Sequence, residues 1–162
     1  MNIKKLFEMQ RQLDEHIEKE HPRQEGEDRL AKKILALMVE LGELANELPE
    51  VFKFWSHKKN NREKALKEYV DCLHFLLSIG LESEIGTFTG DELMPIKMGT
   101  IEIQFITLFK VTVTFLEDIN YYPDMWELFL GLGEMLGFSW KEIEEAYMRK
   151  NEVNHKRQDH GY

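Results

Sequence analysis

The chain has 162 residues, 43% of them hydrophobic and 11% aromatic, which is the composition of one globular domain with a proper core and not of a disordered polymer. A net charge of −9 excludes a general nucleic-acid binder, which needs a basic face to meet phosphates, so no direct nucleic-acid binding is expected. The single cysteine, Cys72, has no internal disulfide partner. No apolar run is charge-free for long enough to span a bilayer, and the first twenty residues hold no apolar signal core, so the expected location is cytoplasmic, away from membranes.

Residues 2–20 predict a first helix, with Ile3, Leu6, Phe7, Leu13 and Ile17 at helical spacing. Gln10 and Asp14 share a face beside that stripe, and periodicity alone reads them as a solvated pair. Residues 28–48 predict the clearest helix, capped by Asp28 and closed by Pro49, with Leu30, Ile34, Leu37, Met38, Leu41, Leu44, Ala45 and Leu48 on one stripe. Glu40 lies on the border of this stripe, with Glu43 and Glu47 further round. A carboxylate on a core border is partly desolvated and costly to leave unpaired.

The stretch PEVFKFWSHKKNN (residues 49–61) breaks the helical pattern. Its rings and lysines suit a stacked base and a phosphate. Phe52 and Phe54 are expected in the core, which leaves Trp55 as the ligand candidate. Residues 62–82 predict a helix that is apolar almost all round after Tyr69, hence central. It carries Glu68 and Asp71 on one face, with His74 beyond them. His74 reads either as a ligand-facing group or as a hydrogen-bonded core histidine, and Cys72 as a small buried filler.

Residues 83–99 hold three glycines and one proline and read as a loop insertion. Residues 100–120 are rich in β-branched residues, but Ile103, Ile106, Phe109 or Lys110, Val113 and Leu116 also fit a helical face, and helical neighbours favour helix. A helix over 123–137 follows, and Ser139 with Glu142 forms a capping box that starts the last one. There Lys150, Asn154 and Arg157 share a face, either as a polyphosphate clamp or as a solvated basic turn.

Two carboxylate pairs, Glu40/Glu43 and Glu68/Asp71, thus sit three residues apart on two helices. Packed side by side, the helices would gather four carboxylates, which calls for hard divalent cations with oxygen ligands. No Walker-type phosphate loop, dinucleotide glycine run or zinc spacing is present.

The segments ELGELANE, FKFWS, EYVDCLHFLLSIG and KNEVNHKRQDHGY together resemble the dimeric, all-α dUTPase family, which is related to the MazG-like nucleoside triphosphate pyrophosphohydrolases. The resemblance runs from Leu6 to Tyr162, apart from 83–99. It implies one all-α nucleotide pyrophosphohydrolase domain over 1–162, a bundle of five or six helices, working as a homodimer. It implies hydrolysis of dUTP to dUMP and pyrophosphate, which limits uracil incorporation into DNA. Glu40, Glu43, Glu68 and Asp71 would hold two or more Mg²⁺ ions, with Mn²⁺ a possible substitute, and Glu40 or Glu43 would orient or deprotonate the attacking water. Gln10 and Trp55 would belong to the uracil pocket, with Asp14 standing where the family carries Asn, and His74 joins this substrate-binding set. Lys53, Lys150, Asn154 and Arg157 would contact phosphates or the metal shell. The residues themselves leave open a broader MazG-like dNTP pyrophosphohydrolase, and a helical interaction module with an acidic cleft.

Overall fold

The computed structural model describes residues 2–83, 85 and 92–161. Among them six long helices and one short one form: α1 (Ile3–Glu20), α2 (Arg29–Asn46), α3 (Pro49–Phe52), α4 (Arg62–Glu82), α5 (Ile101–Thr114), α6 (Tyr122–Met135) and α7 (Trp140–Asp159). The fold class is therefore all-α, and the described residues contain no strand. Local chemistry sets most ends. Asn2, Asp28, Asn61, Thr100 and Ser139 each accept a backbone N–H of their helix, and Ser139 completes the capping box with Glu142. Gly137, at φ +72°, stops α6 in a left-handed turn, with Phe138 N–H returning to the Gly133 carbonyl at 3.0 Å.

Helix α4 is the centre of the bundle and packs against α1, α2, α6 and α7. Its apolar side chains Leu73, Leu76, Leu77 and Ile79 are essentially inaccessible. Tyr69 stacks on Phe129 with centroids 4.1 Å apart, and its hydroxyl donates to the Phe129 carbonyl at 2.9 Å. One face of α4 is nonetheless polar along its length: Glu68, Asp71, His74 and Ser78 are buried there, and Glu82 follows. These positions recur every three or four residues, so they form one seam, facing α1, α2 and α7.

The expectation that Phe52 and Phe54 lie in the core is overturned. Phe54 is 95% exposed and Phe52 is 39% exposed, so neither is a core anchor. The loop after the four-residue α3 is instead tied by polar contacts of Glu50 with Asn60 and Lys59. On α5 the buried face is Gln104, Phe105, Leu108, Thr112 and Phe115. The stripe Ile103, Ile106, Val113 and Leu116 points outward. Helix α5 is apolar nearly all round, so periodicity does not say which face meets the core.

The helix chosen over a strand for this segment does form. Of the expected insertion, residues 84 and 86–91 lie outside the described residues. Residues 93–98 run without helix or strand along α6. Ile96 N–H donates to the Glu127 carbonyl at 2.9 Å, and Gln104, fully buried, receives Met98 N–H and donates to the carbonyls of Ile96 and Leu128. Gly131 makes this approach possible, because a methyl group there would overlap the Ile96 carbonyl oxygen.

Candidate active site

The polar seam of α4 opens into a cleft of about 710 Å³ between α1, α2, α4 and α7. That volume suits a nucleotide-sized ligand. At one end Glu40 of α2 meets Glu68 and Asp71 of α4, with one carboxylate oxygen from each lying within 4.8 Å of the others. Glu68 and Asp71 are buried and Glu40 is half-buried. The α2–α4 packing brings the helices together, and the apolar stripe of α2 turns Glu40 toward the seam. Glu43, one turn further on, is exposed and lies outside the three-carboxylate cluster.

Burial and the neighbouring charges of Asp71, Glu43 and Glu68 push the Glu40 carboxyl up to about 7. Burial likewise raises Asp71, against the pull of Lys150. The Lys150 Nζ lies 2.7 Å from both Asp71 oxygens, and Lys67 Nζ lies 2.8 Å from Glu68 Oε1. Two lysines thus offset part of the charge, yet Glu40 still gains a proton near neutrality. Three crowded oxygen donors with an unfavourable excess of negative charge fit a hard divalent cation.

Further along the cleft Gln10 and His74 line the wall. Gln10 is 3% exposed, which corrects the reading of Gln10/Asp14 as a solvated pair. Its Nε2 donates to Asp14 Oδ1 at 2.7 Å, and its Oε1 receives the Tyr147 hydroxyl at 2.9 Å and lies 2.8 Å from His74 Nδ1. Asp14 Oδ2 takes the Ser78 hydroxyl and faces Lys33 Nζ at 3.4 Å. Lys33 also bonds Glu82 at 2.8 Å. His74 is a hydrogen-bonded histidine and lines the cleft as well, so its two sequence readings hold together. Burial holds it down to about 3, hence neutral.

Lys150, Asn154 and Arg157 all line the cleft from α7. Lys53 and Trp55 do not. Lys53 Nζ bonds Asn46 Oδ1 at 2.9 Å, and Trp55, 67% exposed, stands edge-on to Phe54 on the outer surface. Sequence reasoning passed over Ser78, Glu82, Lys33 and Tyr147. A usable signal exists: Ser78 and Glu82 fall seven and eleven residues after Asp71, Lys33 seven before Glu40, and Tyr147 three before Lys150. Each continues a helical face already marked by a candidate residue.

The family model described as dUTPase matches residues 2–162, so the chain belongs to the dUTPase family, and its activity is that of a dUTP diphosphatase with dUTP as substrate. No curated protein matches the chain.

Proposed function

We propose that this member of the dUTPase family hydrolyses dUTP to dUMP and pyrophosphate with divalent metal held by Glu40, Glu68 and Asp71, and that the whole chain forms one catalytic domain. The observation that carries the reading is the three-carboxylate cluster at the end of a nucleotide-sized cleft. Mg²⁺, two or more ions with Mn²⁺ as substitute, would supply charge neutralisation of the triphosphate and acidify a bound water. Glu40, at the cluster, would take the proton of the attacking water, and Glu43, exposed one turn further on, would help orient that water. Lys150 pairs with Asp71 in the cleft wall, and where Asp71 holds a metal ion it would be available to a phosphate oxygen. Asn154 and Arg157 hold the rest of the phosphate chain for in-line displacement. Gln10, Asp14 and His74 form the base end.

A second copy of the chain covers the outward face of α2 and α5 in this reading. Leu35 and Val39 on α2 and Ile103, Ile106 and Val113 on α5 are 45% to 62% exposed, and α2 packs on α5. Exposed aliphatic side chains on two adjoining helices suit a face that a second protomer covers. Trp55 and Lys53 lie outside their own cleft and reach substrate from the partner protomer. The test is pyrophosphate release from dUTP, dCTP, dTTP and UTP with and without Mg²⁺. Preference for dUTP that disappears with chelator supports the reading, and turnover without preference moves the chain to the broader pyrophosphohydrolases.

A further inference from the structure

Near their C-terminal ends, α1 and α7 are joined by two histidines. His16 Nδ1 lies 2.9 Å from His155 Nδ1, across a separation of 139 residues. The rings stack with centroids 5.2 Å apart and planes 25° apart, and both are half-buried. Neither lines the cleft, although Glu15, Ile17 and Asn154 beside them do. Asp159, one helical turn after His155, places Oδ1 3.5 Å from His16 Nε2. An ionised carboxylate only accepts, so it draws the His16 ring hydrogen to Nε2 and leaves Nδ1 as a lone pair. His155 Nδ1 then supplies the single hydrogen between the two nitrogens. Burial, together with the neighbouring His16, holds His155 below the usual histidine range, so its ring is neutral at neutral pH.

Two imidazoles that face each other through the same ring atom suit a borderline cation of the zinc type, whereas the carboxylate cluster suits a hard one. Two Zn–N bonds of ~2.0–2.1 Å at a tetrahedral angle set their nitrogens ~3.3 Å apart, so the pair opens by only ~0.4 Å from its present 2.9 Å. His155 binds as its Nε2–H tautomer, so its hydrogen moves from one ring nitrogen to the other and none is lost. A carboxylate on the second nitrogen is what metal-binding histidines normally carry, and it fixes the tautomer and raises ligand basicity. Asp159 already stands there for His16. We propose that His16 and His155 bind a zinc-type divalent cation through their Nδ1 atoms, with Asp159 supporting His16 and water completing the coordination. The ion ties α1 to α7, two walls of the cleft, at a place distinct from the Glu40, Glu68 and Asp71 cluster. The proposal does not depend on which nucleotide the cleft accepts. The two ligands meet only in the folded chain, so binding raises stability.

The test is Zn²⁺ binding to the full chain in excess Mg²⁺, measured by calorimetry and by thermal unfolding. Wild type should take up zinc and melt at a higher temperature with it. His16→Gln and His155→Gln should each abolish that uptake and its thermal shift, and Asp159→Asn should weaken binding about 10–100-fold. His57→Gln, at an exposed histidine elsewhere, should alter neither. In wild type alone, ¹⁵N NMR should show zinc moving the Nδ1 signals of His16 and His155 together at one equivalent. No zinc uptake by wild type, uptake that survives both histidine variants, or shifts confined to other histidines overturns the proposal and leaves the pair as a hydrogen bond only.

Discussion

Replacing Glu40 by Gln should stabilise the metal-free protein while abolishing its metal response. An elevation of the Glu40 carboxyl from its ordinary 4.5 to about 7 corresponds to an upper bound of ~3 kcal/mol of unfavourable charge in the folded state. The side chain is only half-buried and the cleft is open to water, so screening reduces this to ~1–2 kcal/mol. Below pH 4.5 both folded and unfolded states hold the proton, and the penalty is absent. Between about 4.5 and about 7 the folded state binds more protons than the unfolded state, so stability falls as pH rises through that window. Above 7 the penalty is complete. Gln carries no charge at any of these values. The assay is urea unfolding in chelator at pH 5 and pH 8, followed by tryptophan fluorescence, to which the fully buried Trp126 contributes. The variant should gain ~1–2 kcal/mol at pH 8 and much less at pH 5. Metal at a hundred times its Kd should then stabilise wild type by about 2.7 kcal/mol and leave the variant nearly unmoved. A variant less stable than wild type at pH 8, or one with the same dependence on pH, would refute the electrostatic account of this site.

Other perturbations give separate readouts. Asp71→Asn leaves Lys150 without its ionised partner 2.7 Å away, so turnover should be lost while the circular dichroism spectrum remains helical; retained turnover removes Asp71 from the site. Gly131→Ala should cost ~1–3 kcal/mol in thermal or urea unfolding, because the new methyl displaces the 93–98 segment from α6. Ile106→Glu places a charge on the outward face of α5 and should convert a dimer into monomers by light scattering; an unchanged molecular mass would place the interface elsewhere.

The legible part of this protein was the part written in helical periodicity and end chemistry. Asp28, and Ser139 with Glu142, mark helix ends through local hydrogen bonding, and the structure keeps them. The carboxylates of α4 were legible because charges on an otherwise apolar helix need partners wherever it packs. The α5 face was not legible, since a helix apolar all round carries no directional signal. Phe54 misled for a related reason: an aromatic side chain is usually buried, but on an exposed turn after a short helix it meets the ring of Trp55 and stays 95% exposed.

The amino-acid sequence by itself determined the helical class, most helix limits, and the acidic residues available to a metal. Only the tertiary structure decided that Glu40, Glu68 and Asp71 converge while Glu43 stays on the rim, and that Trp55 stands outside the cleft of its own chain. It alone turned Gln10 and Asp14 from a surface pair into hydrogen-bonded members of the cleft wall beside His74. Spacing along a helix orders side chains on that helix. Distances between helices, and which hydrogen bonds are completed across them, depend on how the apolar faces pack.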